Sequence, residues 1–191
     1  EAGLEWLSEM AADGSQVKAL TTLNPAGMDI ENWQVLGIDP GFARDQTRVL
    51  DAFSRMGVNL NCSCTPYLFG NLPGFGEHIA WAESSAVCYA NSVLGARTNR
   101  EGGPSALASA LTGLTPAYGL HLDEKRRPTV SVEVTGQPTG TWQFGVIGKA
   151  IGDKLQGLQG VPCITGITHA SLEELKSFCA SIATFGGTAF F

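Results

Sequence analysis

Residues 58–104 read VNLNCSCTPYLFGNLPGFGEHIAWAESSAVCYANSVLGARTNREGGP. Residues 58–62 have the apolar bias of a short buried strand. A helix is expected over about 77–94, with Gly95 as its stop, and another begins at Pro104, a residue suited to the first helical position. Two loops rich in thiol, hydroxyl, amide, carboxylate and guanidinium groups join these elements. A strand that runs through a glycine-rich loop into a helix is the repeating unit of α/β folds.

The same alternation extends outward. Upstream, Leu4, Leu7, Met10 and Ala11 mark a helix, 17–23 a short strand, and 40–56 a helix with Val49, Leu50 and Phe53 inward and Gly57 as its stop. Downstream, the helix from Pro104 runs to 111, followed by a strand at 130–134, a helix at about 145–155, a strand at 161–165 and a helix at 172–182. Ser171 and Glu174 have capping-box spacing before that last helix. TAFF at 188–191 is a final strand. The expected fold is α/β, with a mostly parallel sheet and helices on both faces. The Gly- and Pro-punctuated segment 135–141 is the expected boundary between a subdomain over 1–135 and a continuation over 142–191.

Composition narrows the function. At 191 residues the chain can bury a core, and 43% hydrophobic residues place it far from disorder. A formal net charge of -6 argues against a general nucleic-acid surface, which needs excess Lys and Arg. The run Lys125, Arg126, Arg127 reads as a solvated turn. No apolar stretch approaches the roughly 20 residues of a membrane span, and the amino end has no secretory pattern, so a cytoplasmic setting is expected. Five cysteines, an odd number, do not suggest a disulfide framework; thiols or metal ligands are expected. A start at Glu1 rather than Met, and a stop inside IATFGGTAFF, suggest a piece of a longer polypeptide.

The loops that follow the strands are where ligands gather in such sheets. They are NPAGMD at 24–29 and SCTPYLFGNLPGFGEH at 63–78, with GARTNREGGP at 95–104 leaving the central helix. On that helix, Ile79, Ala82, Ala86, Ala90 and Val93 form an apolar stripe. Glu77, Trp81, Ser84, Cys88 and Asn91 repeat on another face. A helix built only for packing rarely carries such a second stripe; a buried, hydrogen-bonded polar face is the other reading.

CTPYLFGNLPGFGEHIAWAESSAVCYANSVLGARTNREGGPSALASALTG closely resembles the large, catalytic part of aconitase X, a branch of the aconitase superfamily, and the resemblance extends from TTLNPAGMD to FGG. It implies a hydro-lyase with an iron-sulfur cluster ([2Fe-2S] or [4Fe-4S]) or an iron centre. Bacterial members resemble cis-3-hydroxy-L-proline dehydratases and archaeal members mevalonate 5-phosphate dehydratases. It also implies a small swivelling domain or subunit, absent here, that completes the active site.

Dehydration next to a carboxylate needs a base, an acid or Lewis acid for the leaving oxygen, and donors for the developing enolate. Cys64, which matches the family's CTP motif, is the first metal-ligand candidate, and Cys88 is either a second ligand or only near the site. Cys62 and Cys179 read as core, and Cys163 as a distant contender. Arg97 and Arg100 are spaced to turn toward one substrate carboxylate, with Thr98 and Asn99 as further donors. Glu77 and His78 are candidates for proton transfer or ligand orientation, with Ser84 as a third catalytic candidate. A lone histidine is more often structural, so His78 comes before His169, and His121 comes last. Asn24, Asp29, Tyr67 and Ser85 are candidates for holding substrate. The expected reaction is dehydration of cis-3-hydroxy-L-proline to Δ1-pyrroline-2-carboxylate. Mevalonate 5-phosphate dehydration is the alternative, and a non-catalytic remnant that binds a metal or anion is a third reading.

Overall fold

The computed structural model describes residues 2–156 and 160–191. Among them are six α-helices: α1 (Ala2–Ala12), α2 (Pro40–Arg55), α3 (Ser84–Tyr89), α4 (Gly103–Thr112), α5 (Gly140–Leu155) and α6 (Leu172–Thr184). Strands β1 (Val130–Glu133) and β2 (Pro162–Thr165) pair in parallel, with Val130 opposite Pro162 and Glu133 opposite Thr165. With α5 between them they form a βαβ unit, so the α/β class holds, carried by a two-stranded parallel sheet among the described residues. The chain divides into two compact units. One comprises residues up to Leu72 with Leu107–Leu114, the other Pro73–Ala106 with Thr115–Phe191.

In the first unit, Asp39 caps α2 by accepting the Phe42 N–H at 2.9 Å, and Pro40 occupies the first turn, where its missing N–H costs nothing. The core joins Leu7, Ala52, Met56 and Leu107, with Met10, Val49 and Phe53 against them. The strands expected at 17–23 and 58–62 reduce to a single parallel bridge, Thr22 to Asn59. Asn59 N–H donates to Thr21 O at 2.8 Å and Leu23 N–H to Asn59 O at 3.1 Å. The ladder stops because Cys62 turns to a left-handed φ of 48°, which no extended strand accommodates.

The second unit is built on α5 and α6. Their backbones approach closely at Gly148, where a Cβ would stand 2.9 Å from Phe178 O, and at Gly152, where it would stand 3.2 Å from Ile182 O. Phe178 fills the space beside them, edge-on to Phe144 (centroids 6.5 Å) and Phe190 (4.8 Å). The capping box expected from Ser171 and Glu174 is present at the start of α6. The strand expected at 188–191 survives as two bonds to β2, Phe191 N–H to Pro162 O at 2.9 Å and Ile164 N–H to Phe191 O at 2.6 Å.

The helix expected from Glu77 begins only at Ser84. Residues 77–83 are extended instead, because Arg97 N–H donates to Glu77 O (2.8 Å), Ile79 N–H to Arg97 O (3.0 Å) and Glu101 N–H to Trp81 O (3.0 Å). Glu83 then caps α3 by accepting the Ser85 N–H at 3.2 Å. Glu77 and Trp81 are therefore not on the helix that carries Ser84, Cys88 and Asn91. After Tyr89 the helix widens into a π turn over Ala90–Leu94 and stops at Gly95, whose φ of 72° suits a residue without Cβ.

Candidate functional site

The site candidates fall into both units. In the first, Asn24 and Asp29 lie in the exposed loop after Leu23. Asp29 folds back on its own turn: its carboxylate accepts from the Asn32 N–H (2.8 Å), the Asn32 side chain and the Glu31 N–H (2.9 Å), and these bonds hold its carboxyl below the usual range. Cys64 is the exposed thiol of the five. Its loop is closed by Asn61 Nδ2 donating to Phe69 O at 2.7 Å, and Thr65 N–H donates to Ser63 Oγ at 3.1 Å. Burial pushes the neighbouring Cys62 thiol pKa up, against a lowering hydrogen bond from the Ala26 backbone. Tyr67 is buried in the 3₁₀ turn Pro66–Leu68.

In the second unit the extended pairing of 77–83 with 97–101 brings His78 beside His121. Their Nδ1 atoms are 2.9 Å apart and their ring planes 7° from parallel. His78 is exposed, whereas His121 is 3% exposed. Burial, then the charges of His78, Arg126 and Arg97, pull the His121 pKa down, and Glu101 opposes them. Glu77 accepts the Gly74 N–H at 2.7 Å, an intraloop bond, and is not hydrogen-bonded to the imidazoles. Ser84 and Ser85 open α3, and Ser85 donates to the Glu83 carboxylate at 3.2 Å.

The two arginines do not converge. Arg97 donates to His121 O at 2.9 Å and pairs with Asp123 at 2.5 Å, an interaction that holds the Asp123 carboxyl below its usual range. Arg100 instead donates to Ala183 O at 2.8 Å and to Gly187 O at 3.4 Å, at the carboxyl end of α6. Its role here is that of a cation satisfying the last carbonyls of a helix. Thr98 is buried, its N–H donating to Asn91 Oδ1 (3.1 Å) and its hydroxyl to Asn99 O (2.7 Å). Asn99 holds the 118–120 turn, accepting the Leu120 N–H at 2.8 Å.

Cys88 is fully buried and its thiol hydrogen-bonds that of Cys179, where α3 packs on α6; that bond, with burial, drives the Cys179 pKa upward. This contact is a packed thiol pair of the second unit. An iron-sulfur cluster or iron centre, implied by the resemblance, needs several convergent donors. Among the described residues no three His, Cys, Asp or Glu side chains are grouped to hold a metal ion. The donors gathered here do not by themselves fit such a group.

Arg126, expected in a solvated turn, is partly buried instead, and His121, the last of the histidine candidates, is the one that meets His78. Arg126 donates to Asn91 Oδ1 and to Asn91 O, each at 2.9 Å, and lies over the Phe191 ring at 5.2 Å. Glu101, not among the candidates, has a buried Oε1 with no hydrogen-bond partner among the described residues, as does His121 Nε2. Nothing in local spacing announces these contacts, since each joins residues far apart in the chain.

The family model described as "Aconitase X first domain" matches residues 1–124, and "Aconitase X second domain" matches 128–191. The phosphomevalonate dehydratase large subunit of Methanothermobacter thermautotrophicus is 51% identical over 191 residues, covering 100% of this chain and 47% of that protein. The cis-3-hydroxy-L-proline dehydratase of Pseudomonas aeruginosa is 33% identical, with 100% of this chain and 33% of that protein covered. The crystal structure of Thermococcus kodakaraensis aconitase X in its holo-form superposes with a TM-score of 0.87 at 43% identity, covering 100% of this chain and 47% of the other. This chain thus spans about half the length, or less, of the curated relatives it matches.

Proposed function

We propose, since this chain belongs to the aconitase X family, that it is part of a hydro-lyase that removes water from a small hydroxy acid. The observation that carries this reading is similarity over the whole of this chain, at 51% identity, to a relative named as a dehydratase. The preferred substrate is mevalonate 5-phosphate. This revises the order expected from the sequence, which put hydroxyproline first. Identity to the phosphomevalonate dehydratase large subunit is 51%, against 33% to the hydroxyproline enzyme. Hydroxyproline is the second reading.

In such an acid, the hydrogen next to the carboxylate is removed and the hydroxyl one carbon farther departs as water. His78 is the proposed base: it is exposed, and its Nδ1 is held by His121, which leaves Nε2 to meet substrate. A second subunit, as the relative's "large subunit" name implies for that protein, would close the site. An iron or iron-sulfur group belongs to the proposal, with Cys64 as one thiolate and the remaining ligands drawn from outside the residues described here. Among the described residues no helix is long and apolar enough to cross a membrane, and the proposed setting is the cytoplasm. The proposal assigns no role to nucleic acid, consistent with the net charge of -6.

The test uses the full-length protein with its small partner, loaded with iron under reducing conditions. Mevalonate 5-phosphate and cis-3-hydroxy-L-proline are supplied separately, and loss of one water is followed by mass spectrometry. Turnover of the phosphorylated acid supports the reading, and turnover of hydroxyproline alone reverses the substrate order. Binding of either acid without water loss would sink the enzyme proposal in favour of an anion-binding remnant. Replacing His78 by Gln is expected to lower kcat by roughly 10²–10⁴-fold, the usual contribution of a positioned general base.

A further inference from the structure

His121 is deeply buried, yet its Nε2 has no hydrogen-bond partner among the described residues, and the same is true of Glu101 Oε1. The other Glu101 oxygen accepts from Ser105. Each such orphan is costly in a native protein, so two in one neighbourhood ask for a common explanation. Glu101 N–H donates to Trp81 O at 3.0 Å on the same extended pairing that carries His78, and its charge opposes the lowering of the His121 pKa.

The geometry of the imidazole pair restricts its protons. The ring centroids are 5.1 Å apart and the Nδ1 atoms 2.9 Å, and the excess of the first distance over the second is about what two ring radii supply. With planes 7° from parallel, the rings meet edge to edge along an N–H···N line rather than face to face. One Nδ1 carries the proton and the other a lone pair, because two N–H groups cannot point at each other at this distance. If His121 donates, its buried Nε2 is a bare acceptor, and Glu101 Oε1 is another. If His121 accepts, its Nε2–H is a donor and Glu101 Oε1 an acceptor, and one water can bridge them. The second arrangement satisfies every atom.

We propose that His121 and Glu101 are positioning residues which, through one buried water, hold His78 as its Nδ1–H tautomer and so leave His78 Nε2 bare as the base. The activity part of this inference rests on the dehydratase reading; the tautomer does not. In the reaction, a proton leaves the substrate carbon for Nε2, the electron pair left behind expels hydroxide from the next carbon, and the proton on His78 passes to that hydroxide or to solvent. The groups facing His121 are His78 from the extended segment, Glu101 from the loop before α4, and Arg97 and Arg126, with Asp123 paired to Arg97. Burial and the two cations keep His121 neutral, which preserves the lone pair that accepts from His78, and Glu101 opposes them.

The experiment is two-bond ¹H–¹⁵N correlation of histidine-labelled full-length protein with its small partner, resonances assigned by their loss in H78Q and H121F. The expected wild-type result is a proton on Nδ1 of His78 and on Nε2 of His121. H121F should return His78 to the Nε2–H form that dominates in solution and lower kcat by about 10–100-fold, and H121N, whose amide oxygen can accept from His78, should restore part of both. In E101Q, the titration of His121, which the Glu101 charge raises, should move to lower pH. A wild-type His78 with its proton on Nε2, an unchanged tautomer in H121F, or an unmoved titration in E101Q would overturn the inference. Because E101Q keeps size and the Ser105 bond, it carries the test should H121F not fold. Failure of both substrates leaves the tautomer result standing, so the two readings fail separately.

Discussion

Asn91 is the residue on which the second unit's polar interior turns. It is completely buried, and its amide makes four hydrogen bonds: donating to Thr98 O at 2.8 Å and Thr188 O at 3.1 Å, accepting from Thr98 N–H at 3.1 Å and Arg126 at 2.9 Å. Arg126 depends on it, since burial already pulls the guanidinium pKa down and Asn91 supplies two of its acceptors. N91A therefore leaves a partly buried cation short of a partner. The expected loss is about 2–4 kcal/mol, read from the urea midpoint of the full-length protein. N91D tests the same point from the other side. It offers Arg126 a carboxylate but sets an acceptor against the Thr98 and Thr188 carbonyls, so a wild-type midpoint in N91D would show that those two bonds contribute nothing.

At the scale of elements, the close approach of α5 and α6 depends on which glycine is replaced. A Cβ at Gly148 would meet fixed backbone, Phe178 O at 2.9 Å and Ile182 N at 3.1 Å. A Cβ at Gly145 meets only the Ser177 hydroxyl at 3.3 Å, a side-chain atom bonded to Thr141 O rather than fixed backbone. G148A is expected to destabilise by about 1–3 kcal/mol through forced separation of the helices. G145A is expected to be neutral or to gain up to ~1 kcal/mol from helix propensity. Equal midpoints for the two variants would refute close packing as the reason for the glycine spacing. S171A removes the hydroxyl that caps α6 and should cost about 1 kcal/mol, visible as earlier loss of helical circular dichroism on heating.

For the whole molecule, the informative variable is pH. His121 has its pKa lowered in the fold, so at a pH below the unfolded value of about 6.5 the unfolded chain binds a proton that the folded chain refuses. The stability this residue confers is intact above that value and is lost as pH falls toward the folded pKa. The urea midpoint of the wild type is expected to fall on acidification from pH 7 to 5, with a smaller slope in H121N. An identical slope in the two proteins would show that His121 is not the group refusing the proton.

Local pattern determined much of this chain. Pro40 behind Asp39, the Ser171–Glu174 box and Gly95 set helix ends within a few residues, the βαβ unit follows from alternating periods, and a long run of loop and helix residues identified the family. These features depend on neighbours in sequence. The start of α3, the loss of the early strands, the parting of Arg97 from Arg100, the thiol pair of Cys88 and Cys179, and the partnering of His78 with His121 were decided only by tertiary structure. Each rests on which distant groups a backbone donor or a buried side chain meets, and burial, not spacing, gives those meetings their energy.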